Sequence, residues 1–227
     1  MRKRAILFDA GHTLIEPADP VLQEAAQIAR LAASPREIQR AFRRAIRALN
    51  HAPKDDPPAF RDVVAAELLR LGVRSPAAEE SFWAVLDRHN AARVLWVQAI
   101  EGAVRGLAAL HARGVRIGVV SNSDGFVESY LDRAGLLDYI DVVVDSQLVG
   151  VEKPDPRIFR CALERLGIEP DGVPFVPFVG DRYDVDVLGA QAVGLRGILF
   201  DPEEDAPPDG CEILRRLEAV VDCMSDA

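Results

Sequence analysis

Ala5-Ile6-Leu7-Phe8-Asp9-Ala10-Gly11-His12-Thr13-Leu14 is the stretch whose reading decides the fold. Four consecutive apolar residues read as a strand buried on both faces of a parallel sheet. The strand runs into Asp9 and then a short turn made by Gly11, His12 and Thr13. Open α/β sheets bind their ligands at the carboxyl ends of their strands, which is where this acid falls. An acid capping one strand is commonplace, so the reading depends on partners for Asp9 elsewhere in the chain.

Downstream of this turn, strand signals vanish from about residue 16 to 97 and helical periodicity takes over. Asp19-Pro20 offers an N-cap and a first-turn proline ahead of an apolar-rich run from Val21 to Ala33. Ser34-Pro35-Arg36-Glu37 is a capping box. The helix it opens sets Ile38, Ala41, Phe42, Ala45, Ile46 and Leu49 on one face. Arg36, Arg40, Arg43, Arg44 and Arg47 lie toward the other, as a solvated face or as a collector of anions. A break from Pro53 to Pro58 ends it. Further helices are expected over Phe60–Leu71, stopped by Gly72, and from Ser75-Pro76 through Phe82, Val85 and Leu86. This reads as a small helical bundle.

From Ile100 helix and strand alternate. Strands are expected at Arg116–Val120, Val142–Val144, Phe175–Val179 and Gly197–Phe200. Helices are expected from Ile100 to about Arg113, over Phe126–Ala134, after Asp155-Pro156, over Val185–Ala192 and over Glu212–Val221. Strands separated by helical crossovers make a parallel sheet covered on both faces. The expected architecture is α/β: a doubly wound, Rossmann-like core of residues 1–15 and 98–227, with residues 16–97 inserted as a helical domain.

Composition bounds the function. At 227 residues, with 49% hydrophobic and 28% charged residues, the chain can bury a sizeable core. A net charge of −9 argues against a nucleic-acid-binding protein. Cys161, Cys211 and Cys223, an odd number without metal-ligand spacing, read as free thiols in a reducing compartment. The apolar run before Asp9 is too short for a signal peptide, and no run approaches the ~20 residues of a membrane span. A cytoplasmic location is the expectation. Lysine is scarce: Lys3, Lys54 and Lys153 are the only ones among 27 basic residues.

Partners for Asp9 appear at the other strand ends. Ser121-Asn122 follows the second strand, and Lys153 lies in the loop after the third. Asp181, with Asp184 and Asp186, follows the fourth. A doubly wound sheet brings these ends to one edge. The ordered set Asp9-x-x-x-Thr13-Leu14, Val119-Val120-Ser121-Asn122, Lys153-Pro154-Asp155 and Val179-Gly180-Asp181 with Asp186 resembles the four motifs of the haloacid dehalogenase superfamily of hydrolases. The helical insert resembles that superfamily's cap domain.

The resemblance implies an enzyme that hydrolyses a small phosphorylated metabolite with Mg²⁺ as cofactor. Asp9, Thr13, Ser121 and Lys153 would form the catalytic set. Asp9 would be the nucleophile that takes the phosphoryl group as an aspartyl-phosphate. Asp9, Asp181 and the backbone carbonyl of Gly11 would hold Mg²⁺, with Asp186 supporting the ion or Lys153 from behind. Ser121, Asn122, Lys153 and His12 would face the substrate.

One position departs from the pattern. Phosphatases of this superfamily usually carry a second aspartate two residues after the nucleophile, as acid and base; here Gly11 stands there. His12, His51 and His89 are candidate replacements, since histidine titrates near neutrality. Dehalogenases and phosphonate hydrolases of the superfamily also lack the second acid. Dehalogenases resemble a Ser-Asn pattern where this chain has Gly180-Asp181, and a phosphonate hydrolase needs an insert lysine, for which Lys54 is the candidate. A catalytically weak binding or regulatory member is the third reading. Substrate and oligomeric state are silent, although an exposed Trp83 or Trp96 would mark an interface.

Overall fold

Ala5–Phe8 is a strand, β1, buried at all four residues and flanked on both sides by parallel neighbours. It is described here from a computed structural model, which covers residues 4–52, 58–202 and 211–224. Next come β2 (Ile15–Glu16) and the helices α1 (Asp19–Ile28), α2 (Pro35–Asn50), α3 (Phe60–Leu71) and α4 (Pro76–Ala91). β3 (Gln98–Ala99) follows and pairs with β2 as a short ribbon. The chain continues through α5 (Ala103–Ala112), β4 (Arg116–Ser121), α6 (Val127–Arg133), β5 (Val142–Asp145), α7 (Ser146–Val149) and α8 (Pro156–Leu166). It ends with β6 (Pro177–Gly180), α9 (Leu188–Gln191), β7 (Arg196–Phe200), β8 (Glu212–Leu214) and a 3-10 segment at Leu217–Met224.

Two compact units result, residues 1–15 with 99–227 and residues 16–98. In the first, six parallel strands run in the order β5-β4-β1-β6-β7-β8. The chain starts at the centre, winds out through β4 to β5, returns to the other side of β1 at β6 and winds out again. The reversal falls between β1 and β6, and the crevice at such a point is where doubly wound sheets place ligands. One face carries Leu7, Val120, Val144 and Phe178 against Ile158, Phe159, Ala162 and Leu166 of α8. Ile6 and Phe8 alternate to the opposite face and are fully buried there.

The second unit is built from α1 to α4 around Leu22, Ile38, Phe42, Val64, Leu68 and Phe82. Its local signals are those the sequence carries. Ser34 and Glu37 form the capping box, with Ser34 N–H donating to Glu37 at 2.8 Å. Gly72, at φ 117°, closes α3 in a conformation that a side chain would strain. Trp83 and Trp96 are half-buried against this core rather than fully exposed. On the arginine face of α2, Arg43 pairs with Glu16 at 3.3 Å and Arg44 with buried Glu67 at 2.6 Å. Lys54 and most of the break after α2 lie outside the described residues.

Several expectations fail at element ends. Asp19 does not cap α1: it lies inside the first turn and accepts from Gln39 at 2.8 Å, while Ala18 holds the cap position. α1 stops at Ile28 rather than Ala33. The helix expected over Val185–Ala192 is a wide π turn, Tyr183–Val187, followed by the short α9. The helix expected from Glu212 is instead a sixth strand, β8, and the following 3-10 segment. The run Glu212-Ile213-Leu214 is too short for its period to separate strand from helix, and pairing with β7 decides it. No described helix is long and apolar enough to cross a membrane.

α5 packs against the 3-10 segment by way of Gly106, where an added Cβ would sit 2.3 Å from the backbone carbonyl oxygen of Leu217. A backbone group cannot rotate away as a side chain can. Gly106→Ala is therefore expected to destabilise the protein by about 1–3 kcal/mol, measured by urea unfolding. A loss below about 0.5 kcal/mol would contradict this packing.

Candidate active site

Sheet register assembles the site. Phe8 pairs with Val119 of β4 and with Val179 of β6, and Asp9 N–H donates to the Val179 carbonyl at 2.8 Å. Asp9 therefore leaves β1 level with Val120 and Gly180. Ser121 and Asp181 follow one residue further along the strands on either side. Residues far apart in sequence thus emerge from one sheet edge because each lies at or just past its strand's end, within one residue of the same height.

Lys153 reaches this edge from the loop after α7. It is buried, with Nζ 2.5 Å from Asp9 Oδ1 and 2.7 Å from Asp186 Oδ1. Nζ also lies 5.4 Å from the ring centroid of Phe178 in β6, an added attraction for a cation. The second Asp186 oxygen accepts from Arg182 N–H at 2.9 Å. Asp186 folds back against the end of β6 only because residue 180 is glycine: a Cβ there would lie 2.4 Å from the Asp186 Cβ and Cγ atoms. The π turn and Gly180 are one device, which delivers a carboxylate to Lys153.

Asp9, Asp181 and Asp186 each offer one oxygen within 4.8 Å of one another, and all three residues are buried. Burial pushes the Asp9 carboxyl up to about 6; Lys153 opposes this and Asp186 adds to it. Asp181 is raised well above the ordinary carboxylate range by burial, then by Asp9 and Asp186. For Lys153 burial works against the charge, but Asp186 and Asp9 outweigh it, and the ammonium is held more firmly than in water. A hard divalent cation takes oxygen ligands and would relieve the crowding of negative charge. The buried donor set fits such an ion.

The remaining candidates fall as follows. Ser121 is buried at the end of β4. Thr13 is fully buried, with its hydroxyl unpartnered among the described residues. His12 is half-buried in the turn after Asp9, at φ 56°, an uncommon conformation for a residue with a side chain. Asn122 is turned to Lys153: its carboxamide bonds both backbone groups of that residue, a role that the sequence reading missed. His51 and His89 have partners within the helical unit, the Arg47 carbonyl at 2.9 Å and Glu24 at 2.7 Å.

The chain belongs to the family of haloacid dehalogenase-like hydrolases, whose model matches residues 3–194. It is 34% identical over 215 residues to the mouse protein Haloacid dehalogenase-like hydrolase domain-containing protein 3, covering 90% of this chain and 84% of that one. It is 27% identical over 225 residues to an N-acetylmuramic acid 6-phosphate phosphatase of Pseudomonas aeruginosa, covering 94% and 91%. Among solved structures, a HAD phosphatase from Thermococcus onnurineus superposes with a TM-score of 0.61 at 23% identity, covering 98% of each chain. That likeness speaks to the fold. The chain is a hydrolase of this family.

The raised carboxyls predict a pH signature. Asp9 binds its proton more tightly folded than unfolded, between the ordinary 3.8 and about 6, so stability falls as pH rises through that window. A divalent cation that binds the ionised cluster offsets the loss. The rise in Tm on adding Mg²⁺ to EDTA-treated protein should be larger at about pH 7.5 than at about pH 5. It should be abolished in Asp181→Asn. Equal shifts at both pH values would contradict the assignment.

Proposed function

We propose that the chain is a Mg²⁺-dependent phosphohydrolase that works through an aspartyl-phosphate on Asp9, with residues 16–98 as its cap domain. The observation that carries this reading is the Lys153 ammonium held between Asp9 and Asp186, with Asp181 in the same buried cluster. A carboxylate nucleophile attacking an anionic phosphoryl group must overcome like-charge repulsion; Lys153 would supply part of the positive charge and a divalent cation held by the carboxylates the rest. The phosphatase relative aligned along nearly the whole chain supports the same reaction class.

In this mechanism one Asp9 oxygen attacks phosphorus, the bond from phosphorus to the leaving oxygen breaks, and water then releases phosphate from Asp9. Ser121 and the N–H groups of the loop after β4 hold phosphoryl oxygens, and Lys153 neutralises them. Asp186 keeps Lys153 in place. Asp9, Asp181 and the Gly11 carbonyl would hold Mg²⁺, which when bound offsets charge on the transferring group. Retention of Asp181 in the buried cluster weighs against carbon–halogen cleavage, for which the resembling enzymes need no metal.

Gly11 limits the substrates. With no carboxyl there, the leaving oxygen departs with little help, and substrates with acidic leaving groups are favoured. On a panel of phosphate monoesters, turnover should require Mg²⁺ and be lost in Asp9→Asn. Gly11→Asp should accelerate alkyl phosphates relative to aryl phosphates, up to the ~10²–10⁴-fold that a positioned acid supplies. Activity surviving in Asp9→Asn would overturn the nucleophile. An unchanged preference in Gly11→Asp would overturn the account of leaving-group assistance.

A further inference from the structure

We propose that Asn122 is a positioning residue for Lys153, acting through the lysine's backbone rather than on the substrate; the inference rests on the phosphohydrolase reading only for its kinetic consequence. The Asn122 Oδ1 accepts from Lys153 N–H at 2.7 Å, and its Nδ2 donates to the Lys153 carbonyl at 2.9 Å. One carboxamide thereby satisfies both backbone groups of one residue, across thirty-one positions of sequence. The clamp matters because Lys153 lies in the irregular stretch between α7 and α8, where no helix or strand bonds set its backbone. Its ammonium must nevertheless fall between two carboxylates at 2.5 and 2.7 Å. Groups in such constellations tolerate displacements of only about 0.5 Å.

Asn122 can impose a position because its own loop is pinned. Asp145 is buried and lies beside Ser121 in the sheet register. Its carboxylate accepts from the N–H groups of Gly125 at 3.0 Å and Val127 at 3.3 Å on one oxygen, and from Gln147 at 3.0 Å on the other. The Ser146 hydroxyl accepts from Ser123 N–H at 3.1 Å and donates to the Ser123 carbonyl at 3.2 Å. The loop after β4 is thus fastened to the end of β5, and Asn122 carries that fixed position across to the lysine loop. The residue beside the phosphoryl-binding Ser121 is in this way tied to the residue that would neutralise the phosphoryl oxygens.

Two measurements on Asn122→Ala test this. The first needs no turnover: trinitrobenzenesulfonate labelling, read by peptide mass, with Lys3 and Lys54 as internal references because they are the only other lysines. In Asn122→Ala the labelling of Lys153, normalised to these two, should accelerate by about tenfold or more over wild type while Tm stays close to wild type. Unchanged labelling would overturn the proposal. The second is a double-mutant cycle with Lys153→Gln, read as inhibition by inorganic phosphate and as kcat/KM on an aryl phosphate. Asn122→Ala alone should lower kcat/KM about 10- to 100-fold, and add nothing in the Lys153→Gln background. Multiplying effects would mean that Asn122 meets the substrate directly and would also overturn the proposal. A wild type that neither binds phosphate nor turns over would sink the phosphohydrolase reading, while the labelling result would still decide the role of Asn122.

Discussion

A buried ammonium between two carboxylates is the interaction on which the site depends. Lys153 is buried, and so are Asp9, Asp181 and Asp186. Charges in such a place are costly unless paired and hydrogen-bonded. Lys153 pairs with Asp9 and Asp186, and Asp181 lies in the same buried cluster. Burial raises Asp9 and Asp181, and the neighbouring carboxylates add to it; a buried oxygen cluster of this kind suits a divalent cation. Carboxylates brought this close in a buried place are an unfavourable way to build a core and a useful way to build a cation-binding site.

The sheet is what makes this affordable in geometry. The chain order places β1 between β4 and β6, and the register of Phe8 with Val119 and Val179 sets the heights of Asp9, Ser121 and Asp181. These three emerge from regular, buried strands whose positions are fixed by the core beneath. Lys153 and Asp186 do not, and each needs a local device instead. For Asp186 it is the π turn closing over Gly180. For Lys153 it is the carboxamide of Asn122.

This division explains what was legible in the sequence. Four-residue apolar runs ending in Asp9, Ser121 and Gly180-Asp181 announce buried strands and their ends, because burial on both faces leaves a continuous apolar signal. The capping box at Ser34-Glu37 and the stop at Gly72 are equally local and equally readable. The clamp from Asn122 to Lys153 was not, since it joins two loops far apart in sequence and neither residue type implies the other. The meaning of Gly180 was hidden as well, because the contact that excludes a Cβ comes from six residues further on. β8 was misread as a helix because its only argument for being a strand is the neighbour it pairs with. Substrate choice is unread for a related reason: carboxylates, a hydroxyl and an ammonium at a sheet edge serve many reactions on one fold.

In the proposed mechanism a carboxylate oxygen of Asp9 forms the new bond to phosphorus. The direct measurement is to quench the enzyme with acid during turnover of an aryl phosphate, reduce it with borohydride, and map the digested chain by mass spectrometry. An acyl phosphate at Asp9 is reduced to homoserine, so conversion confined to residue 9 is the predicted result. Ongoing turnover with residue 9 recovered as unmodified aspartate would contradict the account.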